Sequence, residues 1–176
     1  PLVSIAGKPM IEHVYSRVIK CEILSDTYVA TCDNEIFDYI ESIGGKAVLT
    51  KNSHERASDR CAEALLKIEN ERKIKYDIVV MIQGDEPMTH PEMISQALKP
   101  MINDEKIEVV NLLGKIKSIE EFNDPNCIKV VCDNNQSALY FSRQPIPSIY
   151  NKESSLMKKQ VCIIPFRRNF LIEYTC

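Results

Sequence analysis

A short run of β-branched and apolar residues, Ile78–Ile82, is the feature that most constrains the fold of this chain. The run stops abruptly at the sequence QGDEP, residues 83–87. This pattern is typical of a buried strand that ends in a turn, and ligands of open α/β sheets bind at the carboxyl ends of the strands. It therefore predicts that Asp85 lies at a binding edge, where a carboxylate can hold Mg²⁺ and the phosphates that accompany it. The competing interpretation is an ordinary tight turn.

Strand-like and helix-like segments alternate before this run and after it, which favours βαβ units and a layered α/β sandwich. Apolar spacing and capping residues predict helices at 10–20 and 35–43. A third helix is predicted from a cap at Ser58 or Asp59 to Arg72. A fourth begins at Pro91, and Pro100 ends it or kinks its last turn. Short β-branched runs predict strands at 27–31, 46–49 and 109–113.

The last third of the chain predicts an antiparallel addition to the sheet. Residues 128–132 and 138–141 flank a polar turn at 133–136, the pattern of a β-hairpin. A helical turn at 119–122, a late strand at 161–166 and a final helix at 169–174 complete the prediction, with a polar segment around 154–155. We therefore expect one domain over residues 1–176 with a mixed, mostly parallel sheet.

Composition narrows the classes of function. The chain has 176 residues, of which 44% are hydrophobic. Its net charge is −3, and it has no basic run of the kind that binds nucleic acid. We therefore expect that any nucleotide it binds is a small molecule and not a polymer. No apolar stretch is long enough to cross a bilayer. The seven cysteines form no C-x-x-C pair, which favours core thiols and a reducing, cytoplasmic compartment.

Two further segments carry candidate binding residues. Residues 52–60 precede a helix, whose N-terminal N–H groups together with Arg56 and Arg60 suit a phosphate; the alternative is a capped helix with a solvated charged face. Arg143 follows an apolar strand and can clamp a substrate carboxylate, or it can simply extend from the strand end into solvent. The chain has no nucleophile elbow, which suits nucleotidyl transfer because the substrate then supplies the nucleophile.

Taken together, these segments resemble the bacterial 3-deoxy-manno-octulosonate cytidylyltransferases, or CMP-Kdo synthetases. The resemblance runs in order along almost the whole chain. Its most specific motifs are QGDEPM at 83–88 and ALYFSR at 138–143, supported by PLVSIAGKPMI at 1–11, by HERASDR at 54–60 and by KVVCD at 129–133. It implies a three-layer α/β/α, Rossmann-like nucleotidyltransferase fold.

The resemblance also implies an activity. The anomeric hydroxyl of an eight-carbon 2-keto acid sugar attacks the α-phosphate of CTP, giving a CMP-sugar for lipopolysaccharide or other surface polysaccharide synthesis, and pyrophosphate. Asp85 is implied as the catalytic Mg²⁺ ligand, and Ser58 and Arg60 as nucleotide-binding residues. A cytoplasmic homodimer is implied as well.

The sugar is implied to contact Gln83, Arg143 and Gln160. Gln160 stands where the family often has His, so an 8-amino analogue or a nonulosonic, sialic-type acid is an alternative substrate. Arg56 and Ala57 replace the family's usual Ser and Gly. A non-catalytic nucleotide- or partner-binding domain is the alternative from another class.

The family's phosphate-binding segment is expected directly before Pro1, and its carboxy-terminal region, with a second metal-binding Asp, after Cys176. Neither segment is present in these 176 residues. On this ground we expect the chain, taken alone, to be an inactive fragment.

Overall fold

The structure, a computed structural model, describes residues 1–148 and 157–176. They belong to two compact units, one formed by Pro1–Val110 with Cys162–Cys176 and the other by Asn111–Val161. The single domain over 1–176 stays a prediction. The polar segment predicted around 154–155 lies outside the described residues.

Ten strands and six helices follow one another in the described parts of the chain. The strands are β1 (Ser4–Ile5), β2 (Lys8–Pro9), β3 (Val29–Thr31), β4 (Ala47–Leu49), β5 (Ile78–Ile82), β6 (Leu112–Lys115), β7 (Lys129–Cys132), β8 (Ala138–Ser142), β9 (Lys158–Val161) and β10 (Ile163–Arg167). The helices are α1 (Met10–Val18), α2 (Asn34–Ser42), α3 (Ala57–Arg72), α4 (Pro91–Asn103), α5 (Ile119–Asn123) and α6 (Arg168–Tyr174). None of these helices has both the length and the apolar character needed to cross a membrane.

Strand pairing in the first unit is mixed, as predicted, but it is not mostly parallel. Strands β3 and β4 pair in parallel, with Val29 opposite Ala47, whereas β5 pairs antiparallel with β10, with Ile82 opposite Ile163. The β3–β4 ladder is the one parallel pair among the described residues. The alternation of helices and strands predicts parallel βαβ neighbours, whereas β10 joins β5 from the far end of the chain, where this alternation does not specify the strand direction.

Two apolar clusters hold the first unit together. One joins α3, β5, β10 and α6 through buried side chains that include Leu65, Met81 and Leu171. The other packs Ile11 of α1 against Ile36 and Ile40 of α2. Burial of each large side chain contributes about 1.5–3 kcal/mol, so both clusters fix the ends of the strands that they cover.

Element boundaries differ from the predictions where tertiary contacts override local signals. Helix α3 has Arg56 as its N-cap, so the prediction that Ser58 or Asp59 caps it was wrong. Helix α4 continues three residues past Pro100, because Met101 is fully buried and anchors the last turn. The predicted late strand at 161–166 is two strands, β9 and β10, that meet at Cys162.

The second unit contains a four-stranded antiparallel sheet in the order β6-β9-β7-β8. The predicted hairpin is confirmed as β7 and β8. The side chain of Lys129, which is 0% exposed, donates hydrogen bonds to three backbone carbonyls, those of Asp124 (2.8 Å), Cys127 (2.6 Å) and Arg143 (2.5 Å). Because these acceptors satisfy a buried ammonium group, Lys129 fixes the 124–127 loop against the end of β8.

Candidate functional site

The turn that follows β5 carries the predicted metal and sugar residues. Asp85 is exposed, whereas Gln83 and Glu86 are half-buried. The Glu86 N–H donates to the Gln83 carbonyl at 3.3 Å, which closes the turn. A Cβ at Gly84 would lie 3.0 Å from Cδ1 of Ile11, so glycine allows the turn to pack closely on α1. The turn is therefore seated on the core while Asp85 faces solvent.

The carboxylates of this turn create a negative potential beside a cysteine. The Gln83 N–H donates to the Cys162 carbonyl at 3.4 Å, which brings the start of β10 to the turn. Burial raises the pKa of the Cys162 thiol, and the charges of Glu86 and Asp85 raise this pKa further. The negative potential of these carboxylates also favours the binding of a cation at the carboxyl end of β5.

The donor set at this end of β5 suits a metal that comes with a phosphate ligand. In the parts of the chain that the structure describes, no three His, Cys, Asp or Glu side chains are grouped so that they could hold a metal ion. Mg²⁺ is commonly bound by one or two carboxylates plus substrate phosphates rather than by an all-protein cage. The exposed carboxylate of Asp85 fits that mode of binding.

The start of α3 carries the predicted nucleotide-binding residues. Its N-cap, Arg56, makes no side-chain capping bond, so no side chain at that position occupies the N–H groups of the first turn. Ser58 is 7% exposed, and its hydroxyl contacts an oxygen of Asp59 at 3.4 Å. Arg56 pairs with Asp59 at 2.9 Å and lies over the Tyr174 ring, 5.3 Å from its centroid. The helix start is thus rigidly held yet open to an acceptor group.

Arg60 is tied to the ends of two strands. Its Nη1 donates to the Thr50 hydroxyl at 2.6 Å and to the Lys51 carbonyl at 3.3 Å. Thr50 in turn donates its N–H to the Thr31 carbonyl at 2.8 Å, beyond the ends of β3 and β4. Within the part of the chain that the structure describes, Nη2 and Nε of Arg60 remain as donors for a ligand. No local pattern of residues indicates the contact between Arg60 and Thr50.

Glu63 anchors the loop before α3, a role that sequence reasoning missed. It pairs with Lys67 at 2.7 Å, contacts His54 and accepts the Lys51 N–H at 3.1 Å. The hydrogen bond from Lys67 is the main cause that lowers the pKa of Glu63 to about 2, against the opposing effect of burial. A cleft of about 500 Å³ is lined by these residues and by the end of α6, but not by Gln83 or Asp85. Glu63 pairs there with His54 and Lys67, so we assign these three groups a structural role.

In the second unit, Gln160 and Arg143 share a row of the sheet. Ser142 of β8 is opposite Lys129, and Lys129 is opposite Lys159 of β9. The next residues along β8 and β9, Arg143 and Gln160, are therefore two strand spacings apart, or roughly 10 Å. The structure thus brings together two residues that the resemblance assigned to the sugar.

Both of these side chains have partners within the second unit. Arg143 is exposed, and its Nη1 donates to the Pro125 carbonyl at 2.9 Å. Gln160 is half-buried, and its Nε2 donates to Oδ1 of Asn111 at 2.6 Å. Asn111 did not stand out in the sequence, because its partner lies 49 positions away.

Comparisons with known proteins identify the family of the chain. A family model described as cytidylyltransferase matches residues 1–176. The 3-deoxy-manno-octulosonate cytidylyltransferase of Trichlorobacter lovleyi is 40% identical to the chain, over 98% of the chain and 71% of the relative. The enzyme of that name from Escherichia coli is 39% identical, over 99% of the chain and 68% of the relative.

Solved structures show the same fold. CMP:2-keto-3-deoxy-manno-octonic acid synthetase complexed with CTP matches with a TM-score of 0.87 and 39% identity, over 99% of this chain and 70% of that one. A 4-diphosphocytidyl-2C-methyl-D-erythritol synthase from Anaerococcus prevotii, 15% identical with a TM-score of 0.59, shares the fold alone.

The fold is that of an α/β protein of the nucleotidyltransferase class, which confirms the predicted α/β class. The chain belongs to the cytidylyltransferase family.

Proposed function

We propose that this protein transfers CMP from CTP to 3-deoxy-manno-octulosonate (Kdo) and releases pyrophosphate. The observation that carries the proposal is the 40% identity to a named Kdo cytidylyltransferase over 98% of the chain. In the reaction, the anomeric hydroxyl oxygen of the sugar forms a bond to the α-phosphorus of CTP. The bond from that phosphorus to the bridging oxygen of pyrophosphate breaks, and the hydroxyl proton is released.

In this proposal the first unit binds the nucleotide. The N–H groups at the start of α3 suit a phosphate or carbonyl oxygen, since no side chain at the N-cap occupies them. Arg60 is prepositioned by Thr50, so it loses little side-chain freedom when its remaining donors bind an anion. Ser58, which is buried in the first turn, shapes this surface.

Asp85 is proposed to hold a Mg²⁺ ion that arrives with the triphosphate. When bound, the metal neutralises charge on the phosphates and lowers the barrier to nucleophilic attack. The residues of the chain contribute a rigid turn, a carboxylate that faces solvent and the negative potential noted at Cys162.

The sugar is proposed to contact Gln83, Arg143 and Gln160. The Nε and Nη2 groups of Arg143, for which the described residues supply no hydrogen-bond acceptor, suit the carboxylate of a 2-keto acid, and Gln160 lies in the same row of the sheet. Gln160 also supports the alternative substrates, an 8-amino analogue of Kdo or a nonulosonic acid, because its amide oxygen can accept a hydrogen bond from an amino group or a hydroxyl.

A homodimer is proposed as the working assembly, with β8 at the interface. Within the described residues, β8 is an edge strand, and its Leu139 and Tyr140 side chains are 66% and 64% exposed. An exposed apolar edge strand favours association, and a second copy offers a matching edge. We further propose that the enzyme acts in the cytoplasm, in surface polysaccharide synthesis.

A pyrophosphate-release assay on the complete gene product tests this function. We expect release that requires CTP and Mg²⁺ and that is strongest with Kdo among Kdo, its 8-amino analogue and sialic acid. ATP, GTP and UTP are the matched controls. A correctly folded protein that binds CTP without turnover of any of the three sugars would instead favour a nucleotide-binding domain.

A further inference from the structure

Asn111 fixes the orientation of the Gln160 amide, because the side-chain amide of Asn111 can form its own hydrogen bonds in only one orientation. Nδ2 of Asn111 donates to the Leu112 carbonyl at 3.1 Å and to the Val161 carbonyl at 3.0 Å. Backbone carbonyls can only accept, so the amide nitrogen of Asn111 must be the group that faces them. Its Oδ1 is therefore left to face Gln160.

This arrangement decides which end of Gln160 is presented. Because Oδ1 of Asn111 can only accept, the group of Gln160 next to it must be the Nε2 donor, and the distance of 2.6 Å agrees. The Gln160 backbone is held as well, since its N–H donates to the Ile128 carbonyl at 2.8 Å. Within the described residues no hydrogen bond reaches Oε1 of Gln160, so this oxygen is left as an acceptor.

We infer that Asn111 is a positioning residue that holds Gln160 so that Oε1 accepts a hydrogen bond from a donor group, a hydroxyl or an ammonium, of the acceptor sugar. The inference rests on the proposed function, in which Gln160 contacts the sugar. It adds a source of substrate selectivity to that function, because a fixed acceptor oxygen favours a hydrogen-bond donor on the sugar and disfavours a carboxylate next to Gln160. A glutamine that could rotate freely would offer either group and would discriminate less.

A double-mutant cycle on the complete gene product tests the inference. KM and kcat are measured by pyrophosphate release with saturating CTP and variable Kdo for the unmodified protein, Asn111→Ala, Gln160→Ala and the double variant. We expect each single change to raise KM for Kdo about tenfold, the loss of one hydrogen bond to the sugar, with kcat changed less than about twofold. In the Gln160→Ala background, Asn111→Ala should raise KM no further.

The cycle separates positioning from a structural role. An equal rise of KM from Asn111→Ala in both backgrounds, or no rise in either, overturns the inference, because Asn111 would then not act through Gln160.

The outcome for the unmodified protein keeps the two proposals apart. Absence of pyrophosphate release with CTP and any of the three sugars would defeat the proposed function itself. Normal turnover by the unmodified protein, with no change of KM in Gln160→Ala, would defeat only the positioning role of Asn111 and the sugar contact of Gln160.

Discussion

Asp85 and Asp77 lie just beyond opposite ends of β5, and both are exposed. If Asp85 holds the metal, Asp85→Asn should lower kcat/KM by about a hundredfold or more, because a neutral amide is a much weaker ligand for a hard cation. Pyrophosphate release measures the effect, and thermal unfolding should show an unchanged fold.

Asp77→Asn is the matched control, since it makes the same change at the far end of the same strand. We expect it to retain near-normal activity. Similar rates for the two variants at limiting Mg²⁺ would remove Asp85 from the metal site.

Thr89 carries a buried hydroxyl that lacks a hydrogen-bond partner among the described residues, and the residue is 2% exposed. Burying an unpaired hydroxyl costs free energy, so Thr89→Val should raise the free energy of unfolding by about 1 kcal/mol. Urea denaturation provides the measurement.

Thr31 gives the comparison for this prediction. It is 6% exposed, but its hydroxyl accepts the Asp33 N–H at 3.0 Å. Thr31→Val should therefore lower stability by about 1 kcal/mol, because it leaves that N–H without its partner. A loss of stability in Thr89→Val equal to that in Thr31→Val would contradict the statement that the Thr89 hydroxyl is unpaired.

At the scale of the elements, Asp26 joins α3 to the strands on either side of it. Its carboxylate contacts Lys46 just before β4 (2.7 Å), Arg72 at the end of α3 (2.6 Å) and Tyr76 before β5 (2.8 Å). Burial opposes the ionised form of Asp26, but the hydrogen bonds from these three side chains outweigh it and lower the pKa to about 2.

The depressed pKa of Asp26 predicts a pH dependence of stability. The pKa of an unfolded Asp is about 3.9, so the stabilisation is complete above about pH 4 and is lost as the pH falls from there toward 2. Asp26→Asn should lower the free energy of unfolding at pH 7 by about 1 kcal/mol and should weaken its decline between pH 4 and pH 2. Urea unfolding across that range measures both effects.

Asp38→Asn, at an exposed position of α2, is the control that removes the same charge. The Asp38→Asn variant should lose stability with falling pH to the same extent as the unmodified protein. If the free energy of unfolding falls equally with pH in Asp26→Asn and in the unmodified protein, the three contacts of Asp26 do not contribute to acid-dependent stability in solution.

At the scale of the whole molecule, the exposed edge of β8 decides the assembly that we propose. Leu139→Lys places a charge on this edge and should convert a dimer to a monomer, because an interface cannot bury an unpaired ammonium group without a large penalty. Light scattering after size exclusion should show the mass falling by half.

Ile102→Lys, at a 56% exposed position of α4, tests whether any apolar-to-charged change has this effect. It should leave the mass unchanged. An unmodified protein that is already monomeric, or a Leu139→Lys variant that stays dimeric, would exclude β8 as the interface.

Local sequence signals located the elements near the candidate site because those signals are short-range. The apolar run that forms β5 ends at a Gly-Asp turn, so the position of Asp85 followed from about ten neighbouring residues. The β7–β8 hairpin followed likewise from a β-branched run, an apolar run rich in aromatic residues and the polar turn between them. The start of α3 was misplaced, because its N-cap is Arg56, which makes no side-chain capping bond and is not among the residue types that mark a helix start.

The sequence by itself therefore determined the α/β class, the strand that carries Asp85 and, through its motifs, the family. The tertiary structure alone decided that β10 runs antiparallel to β5, that Arg60 is held by Thr50 and that Gln160 meets Asn111. These facts depend on strand register and burial between residues far apart in the chain. A local pattern specifies which face a side chain takes, but not which distant partner lies opposite it.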